Sequence, residues 1–547
     1  MRQRFTHALV RATLYDDLSA ARRAQLHRRV GEALEVVFAS RLGEHLPELA
    51  HHFSSAAELG GAAKAVHYSQ LAGDRALELL AHDEAADHYQ RALALLPNAR
   101  VGGEDALRRC DLLLALGEAQ KRCGAPAHRA TLLDAARLAG ELGDAERLAT
   151  AAVANGRGFW SATYSVDSER VSALEAALEA LPSGDGPLRA RVLANLAVEL
   201  VYAGDTEGVR RRSDEALTMA RRLGDLPTLA RVLIPRYNTL RGDPGTLPER
   251  LANTAELLAV TEQLPDPSMR CQGWGWRAIA AMEAADAAEA ERCFAAFDRL
   301  SAELRQPTTA WYSTYLRAGR MLLAGRFDEA ERLSGEAFRL GRDAGHADAE
   351  LFLSCQRIQL AFERGGLDRW ERPLRVALNR HPESRWFLQV WQALAYCETD
   401  RDDDARAVFG ELAAKDFADL AFEPTWLYVV CNLAAVCAHL GDREHAATLL
   451  GMLRPYNGQF VTMSSLAYSG PVAYYLGILA ATLDRPDEAA GHFEAAAETC
   501  EGMGAPTWLA RTRLAWARDA AMVQRALATA RDLGLATVER RARARLA

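Results

Sequence analysis

Lysine is nearly absent from this chain. Of 65 basic residues only Lys64, Lys121 and Lys415 are lysines, and arginine supplies the rest. Against them stand 73 acidic residues, for a net charge of −8. A nucleic-acid binder of this length would show a basic excess or a basic stripe. The arginine runs here, such as Arg210-Arg211-Arg212 and Arg540-Arg541, are short and sit among acids or on helical patterns. They read as solvated faces, so direct nucleic-acid binding is not expected. The same scarcity bears on nucleotide chemistry. A phosphate loop of the form G-x-x-x-x-G-K-[ST] needs a lysine directly after glycine. The three lysines follow Ala63, Gln120 and Ala414.

Other absences narrow the field further. No apolar run approaches the ~18–20 residues of a membrane span, and no such run follows Met1-Arg2-Gln3-Arg4-Phe5 as a signal peptide would require. The cytoplasm is the expected location, with no membrane partner. The nine cysteines are odd in number, form no C-x-x-C, and come closest as Cys431 and Cys437. They read as small core residues in a reducing compartment. No G-x-S-x-G or H-E-x-x-H motif stands out. His45, His51 and His52 lack the i, i+4 spacing that sets two ligands on one helical face, so metal ligation is not expected. Asp402-Asp403-Asp404 falls at an anticipated helix start, where carboxylates favour the helix dipole. No catalytic residue, cofactor or metal is expected, and the chain reads as a non-enzyme.

What is present is helical periodicity. At 547 residues the chain exceeds one ordinary core, and 49% apolar residues supply ample burial. In 62–80, Ala65, Val66, Tyr68, Leu71, Ala72, Ala76 and Leu79 make one apolar stripe. Alternation typical of strands is almost absent. Gly143-Asp144, Gly204-Asp205, Gly224-Asp225, Asp243-Pro244, Asp266-Pro267 and Gly441-Asp442 punctuate the pattern: glycine closes one helix and aspartate caps the next. Roughly 26 helices follow from this pattern.

The helices repeat. Gly73, Ala85, Tyr89, Ala92 and Pro97 fall on the small and large positions of a tetratricopeptide (TPR) unit. Gly477, Ala489, Phe493 and Ala496 repeat that frame closely. Ala330 with Ala337, Ala405 with Phe409, Ala446, Ala290 with Phe294, and Trp370 with Ala377 and Pro382 repeat it more loosely. The anchors 290, 330, 370, 405, 446 and 489 lie 35–43 residues apart, longer than the regular step of about 34. The expected fold is therefore all-α, a TPR-like α-solenoid of antiparallel helix pairs. Residues 1–60 lack the frame and are expected to form a small separate module. Arrays are expected over 61–240 and 241–547, with a soft break at Arg241–Thr246.

A resemblance adds to this. Arg4-Phe5-Thr6-His7-Ala8-Leu9-Val10-Arg11, Leu14-Tyr15, Arg22 to Val30, and Leu49-Ala50-His51-His52-Phe53 resemble the winged-helix-associated tail of the ATPase module in large bacterial signalling ATPases. These include LuxR-type and maltose-regulator-like proteins and cyclase-associated ATPases. Residues 64–89, and Gly470-Pro471 through Gly477 with Trp508 to Arg513, are similar to TPR segments of the same group. The resemblance implies a winged-helix-like remnant at the N-terminus. It also implies a role for His7, which would stand where that group's nucleotide-sensing histidine does; without a phosphate loop His7 is at most a relic. The group's DNA-binding output domain has no counterpart here.

Stacked repeats curve, and in the TPR family the first helix of each pair lines the inner face. Aromatic and arginine side chains there make binding hot spots. Trp274, Trp276, Arg317, Arg320, Arg357, Trp386, Gln389 and Trp391 are the groove candidates, the tryptophans reading first as inter-helix core and otherwise as groove lining. The expected function is a non-catalytic scaffold binding a protein or peptide, or sensing a small effector, with self-association as a further option. The alternative is an ATP-dependent LuxR-type regulator whose nucleotide region escapes recognition.

Overall fold

Helix ends fall where the sequence breaks its apolar period. In the computed structural model, which describes residues 15–96, 104–156, 166–346, 348–381, 385–420, 423–463 and 466–547, each glycine–aspartate step does two jobs. Gly143, Gly204, Gly224 and Gly441 take positive φ of 66–80°. The aspartate that follows accepts a backbone N–H from inside the next helix: Asp144 from Arg147 at 3.0 Å, Asp205 from Gly208 at 2.8 Å, Asp225 from Thr228 at 2.9 Å and Asp442 from His445 at 3.2 Å. Each cap contributes about 1 kcal/mol.

The chain divides into two compact units, Met1–Gly156 with Ser172–Ser183, and Arg157–Val171 with Gly184–Ala547. The sequence breaks at 60 and 240 lie within the first and second units respectively. The first unit holds α1 (Ala20–Val37), α2 (Leu46–Ser55), α3 (Ala62–Glu78), α4 (His82–Leu95), α5 (Glu104–Cys123), α6 (His128–Glu141) and α7 (Ala145–Ala154). The next helix, α8 (Ser168–Ala180), crosses the division.

The second unit runs through α9 (Pro187–Glu199), α10 (Thr206–Leu223), α11 (Leu226–Leu240), α12 (Leu247–Thr261), α13 (Pro267–Glu283) and α14 (Ala287–Leu304). It continues with α15 (Pro307–Leu323), α16 (Phe327–Asp343), α17 (Ala349–Arg364), α18 (Glu371–Arg380), α19 (Arg385–Glu398) and α20 (Asp402–Ala413). Then come α21 (Trp426–Leu440), α22 (Arg443–Leu453), β1 (Phe460–Met463), β2 (Ala467–Pro471), α23 (Val472–Thr482) and α24 (Pro486–Gly502). Three helices close the chain: α25 (Pro506–Trp516), α26 (Ala520–Leu533) and α27 (Ala536–Leu546).

Consecutive helices pack as antiparallel hairpins, and the repeat frame is what packs them. A Cβ on Gly73 of α3 would lie 2.7 Å from the Tyr89 ring of α4, and one on Gly477 of α23 would lie 2.6 Å from the Phe493 ring of α24. Both pairs are 16 residues apart. The same offset separates buried Ala278 from buried Phe294, and buried Ala393 from buried Phe409. A missing or minimal side chain on the first helix admits the ring of the second, which is the TPR way of bringing two backbones close. The fold is thus all-α and TPR-like. The anchor at 370 is the irregular one: Trp370 ends a 3₁₀ turn (Leu367–Trp370), and α18 after it is only ten residues long.

The N-terminal module is helical over its described residues. Its α2 packs on α3, with Phe53 stacked on Tyr68 at 5.4 Å, and Glu35 of α1 receives Lys64 and Tyr68, each at 2.6 Å. Burial and the Glu35 charge push the Tyr68 hydroxyl up to about 12. All nine cysteines are free and eight are buried. Desolvation pushes Cys271, Cys355 and Cys437 up to about 12, so these thiols stay protonated and act as packing groups.

One element departs from the helical reading. Phe460–Met463 and Ala467–Pro471 form an antiparallel β-hairpin, pairing Phe460 with Pro471, Thr462 with Tyr468 and Met463 with Ala467. Every described residue of both strands is buried. The segment from Gly470, read in the sequence as the start of a repeat helix, begins as strand and turns helical only at Val472.

Candidate functional site

The helices α13, α15, α17, α19, α21 and α23 are the first members of successive pairs, and their shared row is where the groove was expected. The hairpin packs along that row, chiefly on members other than α19. Its first strand packs on α13 and α21, and its second on α15, α17, α21 and α23. Gln356, in mid-α17, holds it there: Nε2 donates to the Tyr315 carbonyl at 2.8 Å and to the Leu466 carbonyl at 3.3 Å, while Ser334 donates to Oε1 at 2.8 Å. Gln459 donates to the Pro244 carbonyl at 2.9 Å, and Tyr475 to that of Ser469 at 2.7 Å. Trp508 donates to the Tyr468 carbonyl at 3.1 Å. First helices wrapped this way are apolar nearly all round, as α21 and α23 are.

The groove candidates divide accordingly. Trp276 and Trp391 are interior: the first packs on Tyr237 at 4.5 Å, and the second lies 6.0 Å from Phe362 and 6.3 Å from Tyr428. Their indoles fill space between helices and offer nothing to a partner. Arg320 is committed to Asp298 at 2.8 Å and lies over the Phe294 ring at 4.3 Å. Gln389 bridges Arg385 and Glu411 at 2.9 and 3.0 Å. Trp274 and Trp386 are partly exposed, the latter with Arg385 at 5.9 Å. Arg317 on α15 and Arg357 on α17 are exposed and unpaired among the described residues. They occupy equivalent positions one repeat apart. Arg277, one repeat earlier, is instead held by Glu289 at 2.8 Å. His7 lies outside the described residues.

A second polar concentration sits at α10–α13. Arg236, buried, reaches Asp214 at 2.7 Å, Glu249 at 2.5 Å and Ser213 at 2.9 Å. Arg250, also buried, meets Glu283 at 3.0 Å, and Tyr237 donates to the same carboxylate at 3.3 Å. Acids and bases here pair with one another, and the network fixes the joint between helices. A cleft of about 470 Å³ between the α15–α16 turn and the end of α26 carries charges of both signs, with Arg364 engaged by Asp328 at 2.9 Å.

The first unit holds an arrangement that spacing along the chain conceals. His27 of α1 joins His51 and His52 of α2, with one ring nitrogen from each inside a 4.8 Å span. The Nδ1 atoms of His27 and His52 are 2.8 Å apart, and Tyr15 Oη lies 2.9 Å from His27 Nε2. His45 is not among them. The sequence reading weighed His45 with His51 and His52 and missed His27, which comes from another helix. Burial holds the His27 and His52 imidazoles below their ordinary pKa, helped for His27 by His51 and for His52 by His27 and His51.

No family model and no curated protein matches the chain. Among solved structures it is similar to a Rap protein complexed with competence and sporulation factor, at 13% identity and a TM-score of 0.41, over 68% of this chain and 99% of that one. It is also similar to yeast Tom70, at 14% identity and a TM-score of 0.32, over 92% and 98%. A third is the APC/C hetero-tetramer Cut9–Hcn1, at 12% identity and a TM-score of 0.40, over 87% and 85%.

Proposed function

We propose that this chain is a non-catalytic TPR-type scaffold that binds a protein or peptide. The observation that carries the reading is the small-to-large hairpin frame, repeated from Gly73–Tyr89 to Gly477–Phe493, because stacked pairs of this kind present long surfaces rather than catalytic clefts. The hairpin packs on most of these first helices, so we assign recognition to what they leave outside it. Arg317 and Arg357 are exposed arginines there with no internal partner among the described residues, and a pair of free guanidiniums favours carboxylate-bearing partners. We further infer, from the resemblance of residues 4–53 to bacterial signalling ATPases, that the scaffold serves a cytoplasmic signalling or transcriptional regulator, with a small effector or a second copy of the chain as other occupants. Among the described residues no helix is long and apolar enough to cross a membrane.

The test is affinity capture with the full chain and with the R317E/R357E variant. A discrete partner set bound by the wild type and lost from the variant supports the reading. The same set on both variants moves the contact elsewhere, and capture of nothing counts against a scaffold. Calorimetric titration with ATP and ADP to millimolar concentration tests the nucleotide-dependent alternative, which predicts saturable heat.

A further inference from the structure

We propose that His27, His51 and His52 form a three-imidazole site for a zinc-like divalent cation, with solvent in the fourth position. The proposal stands apart from the scaffold reading and does not depend on it.

The geometry points to a metal in three ways. First, the His27 and His52 Nδ1 atoms face each other at 2.8 Å. Two like nitrogens in that relation share one proton. A tetrahedral cation with bonds of about 2.0–2.1 Å separates its ligand nitrogens by about 3.3 Å, so opening the pair by about half an ångström admits one. Second, the other nitrogen of His27 already has an outer partner. Tyr15 Oη sits 2.9 Å from Nε2; in the tautomer with the proton on Nε2 it accepts that N–H, and Nδ1 is then the free lone pair. Metal-bound histidines almost always carry such a partner, because it fixes tautomer and ring orientation. Third, the two helices that supply the ligands are locked in register. Gly31, one turn beyond His27, lies so close to Phe53, next to His52, that a Cβ would be 2.9 Å from the ring. The ligands are therefore presented by packed backbone, not by loops.

The donor set selects the ion. Three imidazoles suit zinc, nickel or copper(II); among the described residues no thiolate belongs to the cluster to favour copper(I), and no carboxylate to favour calcium or magnesium. His27 is buried, His52 partly so, and His51 exposed, so the open coordination position faces solvent on the His51 side. A bound cation would tie α1 to α2 in place of a single shared proton.

The experiment uses the full chain without an affinity tag, stripped by chelator and titrated with Co²⁺, then with Zn²⁺. One equivalent of cobalt should give the intense visible bands of four-coordinate geometry, and zinc should displace it one for one. H27Q, H51Q and H52Q should each weaken binding more than about 100-fold, beyond what loss of an outer partner does, and Y15F about 10–100-fold. H45Q should titrate as wild type. Since His51 is exposed, H51Q keeps the test valid should H27Q fail to fold. No stoichiometric binding, a weak six-coordinate spectrum, or an H51Q protein that binds as wild type would overturn the proposal.

Discussion

Arg511 and Glu363, 148 residues apart in the chain, meet at 3.0 Å with both side chains buried. The guanidinium also lies over the Phe362 ring at 4.2 Å. This pair fastens α25 to the end of α17. Removing one member strands a charge in the interior, at a cost of about 3–5 kcal/mol, whereas replacing both with apolar groups is near neutral. R511M and E363L should each lower the chemical-denaturation midpoint sharply, and the double variant should recover most of the loss. Singles within about 1 kcal/mol of wild type would show that the pair carries little.

The hairpin frame makes a sharp prediction about glycine. G73A and G477A each drive a methyl into an aromatic ring, and overpacking of this sort costs about 1–3 kcal/mol. G491A in α24 meets nothing within 4 Å and should stabilise by about 0.5–1 kcal/mol through helix propensity. Opposite signs in one thermal-melt series would confirm that the frame, rather than helix propensity, sets these positions.

Gln356 ties α15, α16 and the β-hairpin through one amide. In Q356L the Tyr315 and Leu466 carbonyls lose the Nε2 donor, while the Ser334 hydroxyl keeps its bond to the Ala330 carbonyl at 2.8 Å; a stranded buried carbonyl costs about 1–3 kcal/mol. Hydrogen exchange should accelerate first in 460–471. Unchanged protection there would mean the strands hold themselves.

His82 is buried and neither ring nitrogen has a partner. Desolvation, then the Arg122 charge, lowers its pKa from the usual 6.5. The unfolded chain therefore binds this proton at higher pH than the folded chain does. Stability from this group is full above about 6.5 and declines as pH falls from there toward the depressed folded value. H82L removes that dependence, so the gap between variant and wild type should widen in favour of the variant from pH 7 to pH 5. A constant gap across that range would refute the assignment.

R317E/R357E should shift stability by no more than about 0.5 kcal/mol, since both side chains are exposed and unpaired. A larger loss, read by denaturation, would mean these arginines serve the fold, and would void their use as a probe of partner binding.

Much of the architecture is written locally. Gly143-Asp144 and Gly441-Asp442 carry both a helix stop and a start in two residues, and Gly73 with Tyr89 shows a hairpin within one repeat. These signals act over short stretches of chain, which is why a single sequence displays them. What lay beyond reach was long-range. Phe460–Met463 is a four-residue run whose apolar character fits a helix as well as a strand, and only burial against α13 and α21 decides it. Trp276 and Trp391 share composition and position with surface anchors, and their burial depends on neighbours far along the chain. His27 is invisible as a partner of His52 until α1 and α2 are packed.

The Gln459–Pro244 hydrogen bond spans 215 residues, and that has a consequence for how the second unit forms. An ordinary repeat array builds from near-neighbour contacts, zips up from any point and can fray one module at a time. Here a strap from late in the chain must find its seat on helices made much earlier. Such high contact order slows folding and links distant modules, so the second unit should melt as one block instead of unravelling from an end.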